Sequence, residues 1–142
     1  MEKLNFDIGI KEFDVNGAVL RFNPSDPNVY ARFVAAADQL MAVEKKLVAD
    51  GRASGEDGSA VIGALEKADM EVKNILKGVF GAQNDFNAIF GGVNAMAVGT
   101  NGERLLTNFL ACIGPVLEDG AHRCAEEQVE KALRNREQRS GR

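Results

Sequence analysis

The sequence predicts an α+β fold, mostly α, in which an N-terminal β-hairpin packs on about four helices. Three observations carry that expectation. Period-two alternation of apolar residues is confined to the first 22 positions, apolar residues recur at three-to-four spacing from position 26 onward, and the chain has the size and composition of one core. Its 142 residues, 45% hydrophobic and 27% charged, fit a single globular domain, 1–142. Within it the expected parts are a hairpin segment over 5–22, a helical region over 26–135 and a frayed tail over 136–142.

In the hairpin segment, Phe6, Ile8 and Ile10 alternate with Asp7, Gly9 and Lys11, and Phe13, Val15, Val19, Leu20 and Phe22 then flank Asn16-Gly17. Asn-Gly between apolar runs marks a two-residue turn, because both central positions of a type I′ turn need positive φ. That turn sets Val15 opposite Ala18, Phe13 opposite Leu20 and Glu12 opposite Arg21, a register in which packing and charge agree. The change of parity between Ile10 and Phe13 predicts a bulge or bend near Lys11, or a separate first strand.

Asn23-Pro24-Ser25-Asp26-Pro27 closes the strand and opens a helix, with Asp26 as N-cap and Pro27 in the first helical position. Up to Asp50, Tyr30, Phe33, Val34, Ala37, Leu40, Met41, Leu47 and Val48 repeat at helical spacing opposite Asp38, Lys45 and Lys46. The glycine-rich segment 51–58 has no apolar anchor and reads as an exposed loop. A second helix from Ser59 is expected to bury Ile62, Leu65, Val72, Leu76 and Val79 and to end at Phe80-Gly81. One short turn around 86–90 and a loop over 93–102 follow. From Glu103 a long helix carries Leu106, Phe109, Leu110, Ile113, Leu117, Cys124, Val129 and Leu133, capped by Asn101 and kinked at Gly114-Pro115, where proline removes a ladder hydrogen bond.

Several functional classes find no support in the residues. The longest apolar runs, 33–37 and 109–113, fall far short of the ~18 residues of a membrane span, and the first residues lack the pattern of a signal peptide, so a cytoplasmic location is expected. A net charge of −4 argues against nucleic acid as partner, and Arg134, Arg136, Arg139 and Arg142 read as a solvated helix end. Cys112 and Cys124, twelve positions apart in one helix, sit roughly 18 Å apart, beyond the ~7 Å reach of a disulfide. Both are expected to be buried or half-buried apolar residues, with Cys112 in the core. His122, the single histidine, reads as solvated rather than as a ligand, because zinc wants several Cys or His ligands. Glu118, Asp119, Glu126 and Glu127 lie among polar neighbours and read as a solvated helix face rather than as an acid–base pair. Gly91-Gly92 and 99–102 carry no phosphate-binding signature and read as turns or caps. No catalytic residue, metal or cofactor is expected.

The most distinctive local feature is the echo of Val79-Phe80-Gly81 in Ile89-Phe90-Gly91-Gly92. One reading is two helix C-termini, each ending in an aromatic core anchor and a glycine cap. The other is a ridge of apolar side chains offered to a partner, which makes Phe80, Phe86, Ile89 and Phe90 the candidate protein-binding residues.

The order of these features resembles the small tail assembly chaperone-like proteins encoded near the tail genes of long-tailed phages and prophages of Gram-positive bacteria. The resemblance rests on the Asn16-Gly17 turn, Phe22 at the strand end, the helix opening Asp26-Pro27-Asn28-Val29-Tyr30, a variable polar loop, and Phe80-Gly81 with Ile89-Phe90-Gly91-Gly92-Val93-Asn94 before a last long helix. It spans roughly residues 6–133. What it implies is a non-enzymatic protein that keeps the tape measure protein soluble while tail tube subunits polymerise, and that is absent from the finished tail. Such a protein would bind the tape measure protein or tail tube protein, with no nucleic acid or membrane involved, and self-association is compatible with the role. Met41, Met70 and Met96 would be adaptable contacts or core. A structural virion component, or a phage-encoded inhibitor of a host defence protein, are the alternatives.

Overall fold

The computed structural model describes residues 1–55 and 57–140. Strands β1 (Lys11–Val15) and β2 (Ala18–Phe22) form an antiparallel hairpin, followed by helices α1 (Pro27–Ser54), α2 (Gly58–Phe80), α3 (Phe86–Ile89) and α4 (Leu105–Ser140). This is the α+β, mostly α architecture that the residue pattern predicts. Glu56, Gly141 and Arg142 lie outside the described residues, and with them the middle of the polar loop, the end of the tail and one of the C-terminal arginines; the same holds for the side chain of Arg139.

Hairpin register follows the sequence residue for residue. Val15 pairs with Ala18, Phe13 with Leu20 and Glu12 with Arg21, whose guanidinium lies 3.0 Å from the Glu12 carboxylate. Asn16 and Gly17 take φ of 53° and 89°, the left-handed pair a type I′ turn demands. Residues 1–10, in contrast, form no strand: they run as an arm outside the sheet.

Asp26 caps α1 as expected, accepting from the Asn28 amide at 2.9 Å. The helix continues through Ser54, past the glycine-rich point where the sequence pattern ends it, so residues 51–54 are helical rather than loop. Asp57 then caps α2 by accepting from the Ser59 and Ala60 amides. The two helices lie antiparallel, since Arg32 near the start of α1 donates to the Val79 carbonyl near the end of α2. Val29, Ala36, Leu40, Val43 and Leu47 of α1 meet Ala68, Val72, Leu76 and Val79 of α2 in a seam of three-to-four spacing. Ile62, expected in this seam, is exposed, because the small Ala68 lies on the packed side of α2.

At the α3 end, six of the eight phenylalanines join one ring cluster. Phe22 stands 5.1 Å from Phe13 and 5.0 Å from Phe80. Phe109 of α4 lies 6.1 Å from Phe80, 6.0 Å from Phe86 and 5.6 Å from Phe90. Three of the six ring contacts are edge-on, and each buried ring adds about 1.5–3 kcal/mol of transfer free energy. This cluster ties hairpin, α2, α3 and α4 into one core.

Helix α4 buries Leu106, Phe109, Ile113 and Leu117, passes through Pro115 without losing helical assignment, and then crosses the strand-to-helix turn. At the crossing Gly120 is so close that a β-carbon there would collide with the Pro24 carbonyl oxygen. Beyond it Val129 and Leu133 are exposed, so the helix leaves the body for roughly 30 Å. Residues 136–140, expected to fray, continue as helix. The first amides of α4 are capped by the preceding loop: Leu105 and Leu106 donate to the carbonyls of Ala97 and Ala95 at 2.9 and 2.8 Å. Asn101 accepts from the Glu103 amide within the loop instead of capping the helix.

Candidate protein-binding surfaces

The four residues singled out from the sequence are not an exposed ridge. Phe80, Phe86, Ile89 and Phe90 are all buried. The reading of two helix ends with aromatic anchors describes them better: the Gly81 amide donates to the Lys77 carbonyl, the Gly91 amide to Ala88, and the rings turn inward. The physical reason is geometric, since α3 is a single turn wedged between β2, α2 and α4 and has no free apolar face.

Ile89 and Phe90 nevertheless reach the surface at one place. A cavity of about 350 Å³ opens at the turn end of the hairpin, with Val15, Ile89, Phe90, Leu105 and Phe109 lining it and Asp14, Asn16, Asn108 and Cys112 bordering it. Its walls are mainly carbon, the character of a site for apolar groups rather than for ions. Cys112 is exposed here, not in the core, because Phe109 and Ile113 take the inward positions of that turn of α4.

Two polar clusters lie close by, and both have structural tasks. Asn84, 2% exposed, acts as a surrogate strand: its Oδ1 accepts from the Arg21 amide at 2.7 Å while its Nδ2 donates to the Arg21 carbonyl at 2.9 Å and to Phe80 at 3.1 Å. It thereby covers the outer edge of β2. The Lys73 ammonium donates to Asp69, to Asn87 Oδ1 at 3.0 Å and to the Val93 carbonyl at 3.1 Å, which occupies all three of its N–H groups. Asp69 also accepts from the Ala95 amide at 2.7 Å, and Arg104 joins Glu44 to the Met96 carbonyl. Together these bonds hold the 91–104 loop against α1 and α2. Among the described residues no group of three His, Cys, Asp or Glu side chains is placed to hold a metal ion, and His122 stands exposed on α4.

Among the described residues, exposed apolar side chains gather on α1 and in the N-terminal arm, besides those scattered elsewhere such as Ile62, Met70 and Val129. On α1, Tyr30, Val34, Met41 and Val48 are exposed and, at offsets of 4, 11 and 18, fall within about 40° of one another around the helix. The stripe runs roughly 27 Å along the axis, well apart from the seam facing α2. At its Tyr30 end it borders a shallow trough of about 390 Å³ shared with Glu118, Ala121, His122 and Ala125 of α4. The second pattern is the arm, where Leu4, Phe6, Ile8 and Ile10 are 89%, 83%, 59% and 43% exposed. The stripe was visible in the sequence as helical periodicity, but which half of the apolar set would face α2 was not. Met41 and Met70 are exposed and Met96 is buried.

No helix among the described residues is long and apolar enough to cross a membrane. No family model, curated protein or solved structure matches the chain.

Proposed function

We propose that this chain is a non-enzymatic, protein-binding chaperone of phage tail assembly, acting in the host cytoplasm on the tape measure protein. The observation that carries the reading is the second apolar stripe of α1: Tyr30, Val34, Met41 and Val48 share one face of the helix, and Val34, Met41 and Val48 stand 54%, 57% and 42% exposed on it. A straight stripe of this kind receives an amphipathic helix through i, i+3, i+4 and i+7 anchors. A tape measure protein made ahead of its tube is a long helical client with such a face, and Met41 supplies the adaptable contact a varied client needs. The order of motifs along the chain, from the Asn16-Gly17 turn to the Phe80-Gly81 and Phe90-Gly91 helix ends, supports the same family reading.

The test is co-expression with the tape measure protein of the same tail gene cluster. Wild-type chain keeps the client soluble; Met41→Asp, on the stripe, loses that effect while its helical circular dichroism is unchanged; Glu127→Ala keeps it. Equal client solubility with wild type and Met41→Asp refutes the stripe. Phe90, buried against Phe109 and 5.9 Å from the Lys73 ammonium, is unsuited to the purpose because an aspartate there would unfold the core. A structural virion component is the second reading, favoured by the α4 extension that leaves the body. Abundant peptides of this chain in purified virions would establish it over the chaperone.

A further inference from the structure

We infer that the outer edge of β1 is a docking site for an extended peptide segment that alternates cationic with apolar side chains and joins the hairpin as a third strand. The phase of the hairpin decides which backbone groups that edge presents. A two-residue turn makes its flanking residues, Val15 and Ala18, a hydrogen-bonded pair, and Phe13 with Leu20 and Lys11 with Phe22 follow in the same phase. Glu12 and Asp14 on β1, and Val19 and Arg21 on β2, therefore turn their N–H and C=O groups outward. Asn84 verifies the phase, because it bonds both the amide and the carbonyl of Arg21.

The two edges differ in what meets them. Asn84 occupies the outward groups of Arg21 on β2, whereas no hydrogen bond among the described residues reaches the outward amides and carbonyls of Glu12 and Asp14. The arm does not take them. The Asn23 side-chain amide holds the Ile8 carbonyl at 3.0 Å, and Gly9, at φ 73°, lies so near Asn23 that a β-carbon there would collide with its side chain. The chain thus passes the Asn23 end of the sheet before it enters β1. An open row of backbone donors and acceptors on a sheet edge is the template for strand addition.

Side chains select the occupant. Phe13 and Val15 pack against the core, and Val15 lines the apolar cavity with Ile89, Phe90 and Leu105, while Glu12 and Asp14 stand exposed on the other face. In an added strand, residues opposite Phe13 and Val15 lie on the apolar side and residues opposite Glu12 and Asp14 lie beside two carboxylates. Each carboxylate has an oxygen to spare for a cation: Glu12 meets Arg21 through Oε1, and Asp14 accepts the Gly17 amide on Oδ1. A second copy of β1 does not fit. The antiparallel register that engages the outward groups of both residues on both strands sets Glu12 opposite Asp14 and Asp14 opposite Glu12, and like charges directly opposite are destabilising. The two acids guard the edge against other copies and leave it open to a strand of opposite charge.

Amide exchange of the full isotope-labelled chain, read by NMR, tests the site with three synthetic hexapeptides at ~1 mM, a concentration suited to so small a contact. Lys-Val-Lys-Val-Lys-Val is expected to slow exchange at the Glu12 and Asp14 amides about threefold or more, and to leave that of Phe13, already bonded to Leu20, unchanged. Glu-Val-Glu-Val-Glu-Val is expected to have no effect. Neither is the cationic peptide N-methylated at its lysines, which keeps the charge but lacks the ladder donors. Glu12→Pro removes an outward donor that the hairpin ladder does not use and is expected to abolish the response. Glu12→Lys keeps the backbone intact and weakens it. No slowing with the first peptide, equal slowing with its N-methylated form, or a full response in both Glu12 variants overturns the inference. So do Glu12 and Asp14 amides that are already protected in the free chain, since the arm or another copy then holds the edge. The edge shares no residue with the stripe on α1, so these readouts stand apart from the chaperone reading, and Met41→Asp leaves them unchanged.

Discussion

Replacing Asn84 tests whether one buried amide secures the free edge of the sheet. Its Oδ1 and Nδ2 engage both backbone groups of Arg21, and the same Nδ2 reaches the Phe80 carbonyl and, at 3.4 Å, that of Gly81. Three of these bonds have good length, each worth roughly 1 kcal/mol net, and truncation leaves Arg21 with an unpaired donor and acceptor. Asn84→Ala should therefore lose about 2–4 kcal/mol, or about 6–12 °C in Tm for a chain of this size. Asn84→Asp separates the donor from the acceptor. It keeps the Oδ1 bond but turns the second oxygen towards the carbonyls of Arg21 and Phe80, a placement only a protonated acid tolerates. Burial and those carbonyls raise the folded-state pKa of the introduced acid above its unfolded value of ~3.9. Below ~3.9 the acid is neutral in both states and the ionisation penalty is absent; as pH rises above that value the unfolded chain loses its proton first, and the penalty grows. Urea denaturation at pH 4.5 and pH 7 reads this directly: the deficit of Asn84→Asp relative to wild type is larger at pH 7, while that of Asn84→Ala is the same at both. Two variants within ~0.5 kcal/mol of wild type would refute the surrogate-strand role. A pH-independent deficit for Asn84→Asp would refute the assignment of Nδ2 to the carbonyls.

Gly120→Ala drives a methyl group into the Pro24 carbonyl and should cost about 1–3 kcal/mol by chemical denaturation, whereas Gly63→Ala, with open space around it inside α2, should gain up to about 1 kcal/mol. Equal effects at the two glycines would contradict the close crossing of α4. Lys73→Met removes an ammonium whose side chain is only 13% exposed and leaves Asp69 without its cation, a loss of about 2–3 kcal/mol. The same change should accelerate amide exchange at Ala95 ahead of global unfolding, and unchanged exchange there would show that the loop is held by other means.

The hairpin and the helix starts were legible because each is specified by a few adjacent residues. Asn16-Gly17 fixes turn geometry, turn geometry fixes register, and the N-caps Asp26 and Asp57 stand beside the amides they satisfy. Helix ends were less legible. The α1 pattern fades at Asp50, yet the chain stays helical to Ser54, where Gly55 at φ 60° turns the backbone and its amide donates to the Arg52 carbonyl. The candidate site was legible least. Phe86, Ile89 and Phe90 carry the composition of a binding ridge, but composition cannot distinguish a ridge from a wedge, and only the placement of Phe109 and Phe80 around them makes them core. The loop- and strand-holding roles of Asn84 and Lys73 were not legible, since Arg21 and Val93, the partners that define them, lie 63 and 20 residues away. In the arm the alternation of Phe6, Ile8 and Ile10 reads as strand-like, but residues 1–10 form no strand, because Gly9 at φ 73° and the turn in which its amide donates to Asp7 Oδ1 break the extended run.

The stripe on α1 has a consequence for stoichiometry. A stripe of roughly 27 Å covers about 18 residues of a helical client, whose rise is ~1.5 Å per residue. Successive copies then cover a long helix in proportion to its length. Native mass spectrometry of complexes with a full-length tape measure protein and with a half-length version should give copy numbers near two to one. A fixed ratio of one copy per client at both lengths would refute a stripe that reads repeated segments of the client.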